Sequence, residues 1–363
     1  MRIIFHHPLP LDRHAKSASG IRPLRMLQAF RELGCDVDIV CGYSAQRKEA
    51  IKKIKNNIAQ GVHYVFVYSE SSTMPTVLTD PHHLPLRPFL DFNFFRFCKV
   101  KNIPVGLFYR DIYWLFDVYG KGLNPLKVLV AKLAYRFDLW VYKKTLTKLY
   151  LPSLEMARYI PLVDAGIMAP LPPGHSAQKV AIPPAQSAKW KMRLFYVGGM
   201  SSHYQLHKLF QAISEMPEIA LTVCTREAEW QAVQDGYPRV TPNIKIIYET
   251  GAKMEAHLNE SDIAVLFVQP EEYWEFASPV KLYEYLGFCK PVLASEGTLA
   301  GKFVQDNQVG WTLPYEETAL KHLLNRLLEN PAEILEIQSN LSAVAEHHSW
   351  QSRAQQVIKD LSQ

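Results

Sequence analysis

A lysine and a glutamate stand three residues apart in Ser278-Pro-Val-Lys-Leu-Tyr-Glu-Tyr-Leu-Gly, a segment typical of a helix start. Ser278 is a natural N-cap, and Pro279 suits the first helical position. Free N–H groups and a partial positive charge at that helix end suit a diphosphate, to which Lys281 adds a full charge. Glu284, on nearly the same face, could accept hydrogen bonds from two ribose hydroxyls. The alternative is an exposed Lys281–Glu284 ion pair worth about 0.2–0.5 kcal/mol, and the segment alone leaves both interpretations open.

A second charged pair follows an apolar run in the first half of the chain. Pro104-Val-Gly-Leu-Phe-Tyr reads as a strand, and Arg110 and Asp111 come directly after it. A carboxylate at a strand end could orient a substrate hydroxyl or deprotonate it as a general base. The alternative is that Arg110 and Asp111 neutralise each other or that one of them caps the next segment. Glu70, which ends another predicted strand, is the second carboxylate candidate.

The distribution of histidine and cysteine predicts neither a metal site nor a disulfide framework. His82 and His83 lie in a Pro-rich loop, without carboxylate or Cys partners at ligand spacing. The five cysteines are odd in number and form no CxxC pair, which favours a reducing compartment. The opening MRIIFHHPLPLDRH resembles a first strand more than a signal peptide, and no apolar run is long enough to span a bilayer. We therefore expect a cytoplasmic protein.

These candidate residues depend on short apolar runs that alternate with segments of helical period. Strands separated by helices predict βαβ units and a parallel sheet, with ligands beyond the carboxyl ends of the strands. The predicted strands are Arg2–Phe5, Val37–Cys41, Val62–Tyr68, Pro104–Tyr109, Leu149–Leu151, Leu194–Val197, Ala220–Cys224, Ile244–Tyr248, Ile263–Phe267 and Pro291–Ala294.

A proline-rich stretch divides the chain. Met168–Lys191 contains five prolines and has no usable periodicity, as is typical of a linker. The sequence after it, MRLFYVGG, repeats the strand-to-loop pattern of the chain start. We therefore predict an α/β protein with two Rossmann-like domains, residues 1–170 and 171–345, facing a cleft. Residues 346–363 are predicted to form a terminal helix that packs back on the first domain.

Charge is distributed unevenly between the two halves. Hydrophobic residues at 48% and charged residues at 21% indicate a globular protein with a net charge of +5. Residues 1–170 carry a balance of +11, and the remainder a balance of −6. A basic first domain predicts an anionic membrane surface or an anionic acceptor as partner. We expect no nucleic acid, because zinc-finger spacing and RNP-like aromatic motifs are absent from the sequence.

One helix of the basic half has two contrasting faces. It is predicted from NPLKVLVAKLAYRFDLWVYKK, with Asn124 as cap and Pro125 as first residue. An apolar stripe of Val130, Leu133, Ala134, Phe137 and Val141 is expected to face the core. Lys132, Arg136 and Lys143 share another face, beside Leu129 and Trp140. That basic face suits anionic lipid, and the alternative is an ordinary helix with a solvated back.

The segment SPVKLYEYLGFCKPVLAS, followed by EGTLAGKFVQDNQVGW, resembles the donor-site signature of the GT-B glycosyltransferases. The resemblance points in particular to the family-four (group 1) enzymes that build bacterial polysaccharides. FYVGGMSS resembles their glycine loop, and SWQSRAQQVIKDL their terminal helix, so the likeness covers most of the C-terminal half. It implies that Glu284 binds the donor ribose and that Ser278, Pro279 and Lys281 lie at the diphosphate. Gly198 and Gly199 would form the glycine loop.

Three features depart from the family pattern. The family has a glutamate eight positions before the ribose ligand, whereas this chain has Phe276 there and Glu275 one step away. The other two departures are the arginine that often follows the glycine loop and the lysine a few residues further on, which are both absent. Arg226, just after a predicted strand, is our candidate substitute, and its alternative role is that of an ordinary exposed arginine.

In the family, the loop after the first strand reaches the donor phosphates and the acceptor. Gly20 is our candidate in that loop, with Arg22 beside it and Arg110 as the further basic residue of the acceptor side. The resemblance implies a hexosyltransferase-type enzyme that uses a nucleotide diphosphate-sugar and needs no metal or other cofactor. The expected acceptor is a lipid-linked or growing glycan in cell-surface polysaccharide synthesis, at the inner membrane face. The alternatives are a GT-B sugar-nucleotide epimerase and a non-catalytic sugar-nucleotide-binding partner subunit.

Overall fold

The computed structural model describes residues 1–13, 15, 18–116, 119–176, 189–200 and 204–362. The chain divides into two compact units. The first comprises Met1–Pro173 and Trp350–Gln363, and the second comprises Gly174–Ser349. Within the described residues, no helix is both long enough and apolar enough to cross a membrane.

The first unit is built on one parallel sheet. Its strands, in the order β2-β1-β3-β4-β5-β6, hydrogen-bond side by side, and β1 pairs with β2 from Arg2 opposite Asp36 to His7 opposite Cys41. The strands are β1 (Arg2–His7), β2 (Asp36–Cys41), β3 (Val67–Glu70), β4 (Val105–Phe108), β5 (Lys148–Leu151) and β6 (Met168–Pro170). The helices between them are α1 (Ala18–Glu32), α2 (Ser44–Ala59), α3 (Leu90–Val100) and α4 (Pro125–Thr145).

The second unit repeats this plan with a parallel sheet in the order β12-β11-β10-β7-β8-β9. Its strands are β7 (Met192–Val197), β8 (Ile219–Cys224), β9 (Ile244–Ile247), β10 (Ile263–Leu266), β11 (Val292–Ser295) and β12 (Gly310–Leu313). Its helices are α5 (His207–Ser214), α6 (Glu227–Val233), α7 (Ala252–Glu260), α8 (Val280–Gly287), α9 (Leu299–Asp306), α10 (Glu317–Glu329) and α11 (Ala332–Glu346).

The terminal helix α12 (Trp350–Leu361) belongs to the first unit, where it packs against α1 and β4. Trp350, Ala354, Val357 and Leu361 of this helix join the same apolar core as Phe5 and Tyr68 of the sheet. Gly106 in β4 makes the close approach possible, because a Cβ built there would lie 2.7 Å from Cδ1 of Leu361.

In both sheets the strand order reverses at one point. In the first sheet the chain passes from β1 to β2 on one side and then to β3 on the other, so the reversal lies between β1 and β3. In the second sheet it lies between β7 and β10. Open α/β sheets bind ligands beyond the carboxyl ends of the strands at such a point. This directs attention to the residues that follow β3 and β7.

Every predicted strand is present, although the strand predicted at Val62–Tyr68 begins later, at Val67. β6 and β12 were not predicted. The linker was predicted across Met168–Lys191, but Met168–Pro170 forms the strand β6 and pairs with β5. Residues 177–188 of the predicted linker lie outside the described part of the chain.

Candidate functional site

The strongest candidate site in the second unit is the glycine turn that follows β7. Gly198 has a φ of 152°, and a Cβ built on it would lie 2.6 Å from Nζ of Lys281. A side chain at this position would therefore displace the lysine amine, and the positive φ disfavours any residue other than glycine. Tyr285 of α8 fixes the same region, because its hydroxyl accepts a hydrogen bond from the Val197 backbone N–H at 3.0 Å. Together these contacts hold α8 against the end of β7.

Lys281 lies half-buried in an aromatic setting. Its Nζ donates to the Tyr196 hydroxyl at 3.0 Å and lies 4.3 Å and 4.4 Å from the ring centroids of Tyr196 and Tyr204. The Tyr196 hydroxyl in turn donates to the Gly199 carbonyl at 2.8 Å. Burial lowers the pKa of Lys281 to about 7, against the Glu284 charge, which raises it. An anion at this amine would restore the charge that burial disfavours.

The helix that carries Lys281 begins one residue later than predicted. Pro279 occupies the cap position, and α8 starts at Val280. The Ser278 side chain does not cap the helix; its hydroxyl is hydrogen-bonded to the Tyr283 hydroxyl at 3.1 Å. The prediction of Ser278 as N-cap was wrong. The cap position is one residue later, and the Ser278 hydroxyl is hydrogen-bonded to Tyr283 instead of the helix backbone.

Glu284 lies one turn after Lys281 on α8 and is half-buried. Its charge acts on the pKa of Lys281, so the two side chains are close enough to interact electrostatically. The ion-pair alternative and the ligand role both remain compatible with this position.

Arg226 and the glycine turn both contact the same glutamate, Glu229. The arginine occupies the N-cap position of α6 without a capping hydrogen bond from its side chain. It is exposed, and its guanidinium is ion-paired with Glu229. Glu229 also accepts a hydrogen bond from the Met200 backbone N–H at 3.0 Å. Arg226 is therefore more than an isolated surface arginine, but Glu229 already neutralises its charge. The sequence offered no signal for Glu229 beyond its position three residues after Arg226.

The first acidic position of the family signature is occupied by an aromatic side chain. Phe276 is 2% exposed, and its ring lies 5.3 Å from that of Tyr273. Glu275 ends a short 3-10 turn, Glu272–Glu275, and is exposed. Phe276 thus fills the position as a core residue and offers no hydrogen-bonding group to a ligand.

In the first unit, Glu70 lies at the carboxyl end of β3 with two arginines beside it. It is completely buried, with its oxygens 3.4 Å from Nε of Arg22 and 3.3 Å from Nη2 of Arg110. The Tyr68 hydroxyl donates to it at 2.9 Å. Glu70, the second predicted catalytic carboxylate, is thus buried and ion-paired with both arginines, and it holds Arg110 in place.

Arg110 and Asp111 follow β4 as predicted, but they do not form a pair with each other. Arg110 turns towards Glu70, and its backbone N–H donates to the Ser71 hydroxyl at 3.0 Å. Asp111 is half-buried and accepts a hydrogen bond from the Tyr113 backbone N–H at 2.8 Å. Burial raises the pKa of Asp111, against its backbone hydrogen bonds and the Arg110 charge. A carboxylate with a raised pKa suits a general base.

The predicted loop residues Gly20 and Arg22 are helical. Helix α1 begins at Ala18, so the prediction of a flexible loop at Gly20 was wrong. Arg22 is 3% exposed, and its guanidinium carbon lies 3.5 Å from the ring centroid of Phe108. It also donates to the Leu171 and Pro172 carbonyls. Arg22 is a buried residue that joins α1 to the sheet, and it is not available to a ligand.

The two predicted loop histidines are exposed and have local partners. His83 Nδ1 lies 3.0 Å from the Leu78 carbonyl, and His82 Nε2 lies 3.8 Å from the Asp80 carboxylate. Among the described residues, no group of three His, Cys, Asp or Glu side chains is arranged to hold a metal ion. The five cysteines are free thiols.

Comparison with solved structures identifies the fold. The chain is similar to HepE from Anabaena in complex with UDP, with a TM-score of 0.64, 14% identity and complete coverage of both chains. It is similar to sucrose-phosphate synthase from Thermosynechococcus elongatus, with a TM-score of 0.66, 14% identity and coverage of 99% and 98%. For WaaG, a glycosyltransferase involved in lipopolysaccharide biosynthesis, the TM-score is 0.56, with 14% identity and 99% coverage of each chain.

No protein-family model matches the chain, and no curated protein sequence matches it. The three structural neighbours named above nevertheless each cover 99% or more of the chain, and they are GT-B glycosyltransferases. The chain therefore has the GT-B fold, with one parallel α/β sheet in each unit. The fold class predicted from the sequence is confirmed.

Proposed function

We propose that this protein is a glycosyltransferase that takes a sugar from a nucleotide diphosphate-sugar bound by its second unit. The observation that carries the proposal is the pair Lys281 and Glu284 on α8, held against the glycine turn at the reversal point of the second sheet. Lys281 and the helix N-terminus would hold the diphosphate, and Glu284 the ribose. HepE, one of the structural neighbours, was solved with UDP and with UDP-glucose.

Departure of the diphosphate would be assisted by the Lys281 charge and the dipole of α8. Fixed positive charge directed at the developing negative charge is an efficient form of transition-state stabilisation. This arrangement requires no metal ion. Arg226 could contribute only if the arriving phosphates displace Glu229 from it.

The acceptor would be bound by the first unit. Asp111, whose pKa is raised by burial, would orient or deprotonate the acceptor hydroxyl. Arg110, held in position by Glu70, would face a negative group of the acceptor. We infer a lipid-linked or growing glycan in cell-surface polysaccharide synthesis, at the inner face of the membrane. Two of the structural neighbours are WaaG, which is involved in lipopolysaccharide biosynthesis, and the lipopolysaccharide outer core galactosyltransferase WaaB.

A second candidate is a sugar-nucleotide-binding subunit without catalysis. The observation in its favour is the buried Phe276, which removes the first glutamate of the family signature. In the family, that glutamate often contacts the donor sugar. The exposed Glu275 is the nearest carboxylate in sequence.

A thermal-shift screen of nucleotide sugars tests the proposal. A ligand at a hundred times its dissociation constant stabilises by about 2.7 kcal/mol, which gives a clear rise in melting temperature. The stabilising donor is then incubated with a panel of glycan and lipid-linked acceptors, and release of nucleoside diphosphate is measured. Transfer supports the transferase. Donor binding without turnover across the panel supports the non-catalytic subunit, and stabilisation by none of the nucleotide sugars contradicts both.

A further inference from the structure

The first unit contains an open groove of about 530 Å³ that none of the proposed catalytic residues lines. It runs between the N-terminal half of α4 and the segment that follows β3. Leu126 and Val130 form one wall, and Met74, Leu78 and Leu84 contribute to the other. The volume falls within the range of roughly 300–1,000 Å³ that is usual for sites binding small molecules.

The side chains at this groove are exposed to an unusual degree for apolar residues. Leu84 is 56% exposed, Leu123 61% and Leu126 69%. Single exposed leucines are ordinary, but several on one groove are typical of a surface that binds an apolar partner. Covering them with another apolar group would remove their surface from water, which is favourable.

The charges around the groove select the kind of partner. Within the described residues of 74–101 and 119–147, every carboxylate is buried, at Asp80, Asp91 and Asp138. Lys127 lines the groove, and it is exposed, as is Lys121. A second copy of the chain docked here through the same face would bring basic groups against basic groups. An apolar chain with an anionic head satisfies both the leucines and the lysines.

The groove leads towards the acceptor residues of the same unit. Tyr119 lines it, and the Tyr119 ring lies 6.3 Å from that of Tyr113, whose backbone N–H is bound by Asp111. On the other wall, Met74 lies three residues after Ser71, whose hydroxyl is bound by the Arg110 N–H. The two walls of the groove are thus connected to the segments that hold Asp111 and Arg110.

We propose that this groove binds the apolar chain of the acceptor lipid, with its anionic head at Lys127. The inference rests on the proposed function for the identity of the ligand as an acceptor, but the binding itself can be measured without any transfer. The acceptor would then be an amphiphile with a single chain in the groove, its anionic head at Lys127 and its sugar portion extending towards Arg110 and Asp111.

Alkyl phosphates below their critical micelle concentrations are suitable probes, with ethyl, hexyl, octyl and decyl phosphate compared by calorimetry. If the chain enters the groove, affinity for the longer members should rise about two- to fourfold per added methylene. Ethyl phosphate has almost no chain and measures the contribution of the head alone. Affinity that does not depend on chain length in the wild-type protein would overturn the proposal.

Helix α4 offers a matched pair of variants. Leu126→Asp/Val130→Asp alters two groove residues that are 69% and 44% exposed. Leu129→Asp/Leu133→Asp alters two residues of the same helix that are each 55% exposed and do not line the groove. Both pairs introduce two carboxylates at exposed positions. We expect the groove pair to weaken decyl phosphate binding by about tenfold or more, and the control pair by about twofold or less. Equal losses would indicate a general charge effect and reject the groove.

Leu84→Asp, on the opposite wall, provides a second test if the helix variants lose stability. It should flatten the chain-length series while the melting temperature is unchanged. Donor binding is measured in the same samples. If no nucleotide sugar binds but alkyl phosphates bind through the groove, the proposed transferase fails and the lipid site stands. If sugar transfer occurs but alkyl phosphate binding ignores the groove variants, the transferase stands and the lipid site fails.

Discussion

Lys281 holds a positive charge where burial disfavours it, and this predicts how donor binding depends on pH. Its pKa is lowered to about 7. An anionic donor binds the protonated amine better and raises its pKa in the complex. Affinity should therefore be greatest below pH 7 and fall by about tenfold between pH 7 and pH 8.5. The facing phenol of Tyr196 stays neutral there, because burial raises its pKa well above the usual value.

Calorimetry with the nucleotide sugar identified by the screen measures this dependence. Such a donor has no phosphate ionisation near pH 7, so the change in affinity reports on the protein. Lys281→Arg keeps the charge at every pH and should flatten the profile, whereas Lys281→Met should weaken binding throughout. A wild-type profile as flat as that of the arginine variant would show that the diphosphate does not meet this amine.

Glu284 is expected to bind the donor through charge-assisted hydrogen bonds. Such a bond contributes about 1.5–3 kcal/mol, so Glu284→Gln should weaken donor binding by about tenfold or more, with an unchanged melting temperature. Glu336→Gln, on an exposed position of α11, is the control for loss of one negative charge. Equal affinities in wild type and Glu284→Gln would reduce Glu284 to an ion-pair partner of Lys281.

The structural and chemical roles of Asp111 can be tested separately with an asparagine variant. Asparagine can accept the same hydrogen bond from the Tyr113 N–H, so Asp111→Asn should preserve the turn while removing the charge. We expect turnover to fall by about a hundredfold or more with donor affinity unchanged. Since burial raises the pKa of Asp111, wild-type turnover should also be lost as pH falls through that raised pKa.

The comparison that matters for Asp111 is with Glu70. Glu70→Gln leaves the buried Arg22 and the largely buried Arg110 without their shared counter-ion, so it should destabilise the first unit by about 3–5 kcal/mol. Asp111→Asn should leave stability nearly unchanged. If Glu70→Gln folds normally and abolishes turnover while Asp111→Asn remains active, the base has been assigned to the wrong strand end.

At the scale of secondary structure, the contact between β4 and the terminal helix depends on one glycine. A Cβ at Gly106 would lie 2.7 Å from Leu361 and 2.9 Å from the Tyr150 ring. Gly106→Ala should therefore overpack this contact and reduce the free energy of unfolding by about 1–3 kcal/mol. Leu361→Ala removes the colliding methyl groups, so the double variant should be less destabilised than the sum of the two single variants. Chemical denaturation of the four proteins measures this, and strict additivity would contradict the packing.

The elements that the sequence predicted correctly have a clear local signal. Most of the predicted strands are apolar runs bounded by turn residues, and burial on both faces of a parallel sheet requires such runs. The edge strands β2 and β9 also contain Asp38 and Lys245 and are only partly buried. β6 was missed because its three residues, Met168–Pro170, lie within a proline-rich stretch. β12 was missed because Gly310–Leu313 has no continuous apolar run. Of its four residues, only Trp311 is buried.

Side-chain partners were much harder to predict than strands. Arg22 follows a predicted loop in sequence, yet it lies inside the first unit because Glu70, Phe108 and Trp350 come from distant parts of the chain. The aromatic setting of Lys281 likewise requires Tyr196, which precedes it by 85 residues. Periodicity reports which face of an element is apolar, but it carries no information on which distant residue completes a site.

Helix α4 shows the same limit at the scale of an element. Its cap was predicted correctly, because the Asn124 side chain accepts a hydrogen bond from the Leu126 N–H. The predicted core stripe was wrong at Val130 and Leu133, which are 44% and 55% exposed. A helical apolar stripe has the same period whether protein or lipid covers it. The buried face is instead formed by Ala134, Tyr135, Asp138, Leu139, Val141, Tyr142 and Thr145.

At the scale of the whole molecule, the basic half and the exposed face of α4 point to the same partner. Leu126, Leu129, Leu133 and Trp140 are 40–69% exposed along one side of the helix. Arg136 and Lys143 are exposed beside them, and Lys132 is half-buried. An apolar stripe with adjacent basic residues is typical of a helix that lies in the interface of an anionic membrane. Each basic residue near such a surface contributes about 1 kcal/mol.

We therefore predict reversible binding to vesicles of phosphatidylglycerol and phosphatidylcholine, measured by co-sedimentation. Reversing Lys132, Arg136 and Lys143 to glutamate should reduce binding by about two orders of magnitude or more. Because charge interactions are screened beyond about 10 Å at 0.1 M salt, wild-type binding should weaken as salt rises.

The leucines of the same helix provide a second test. Binding that persists at high salt should be lost in Leu129→Ser/Leu133→Ser. It should be retained in the control variant Leu335→Ser, which alters an exposed leucine of the second unit. If wild type does not pellet at low salt, the membrane prediction is wrong and the basic half would instead serve an anionic acceptor. If all variants pellet equally, the membrane contact lies elsewhere.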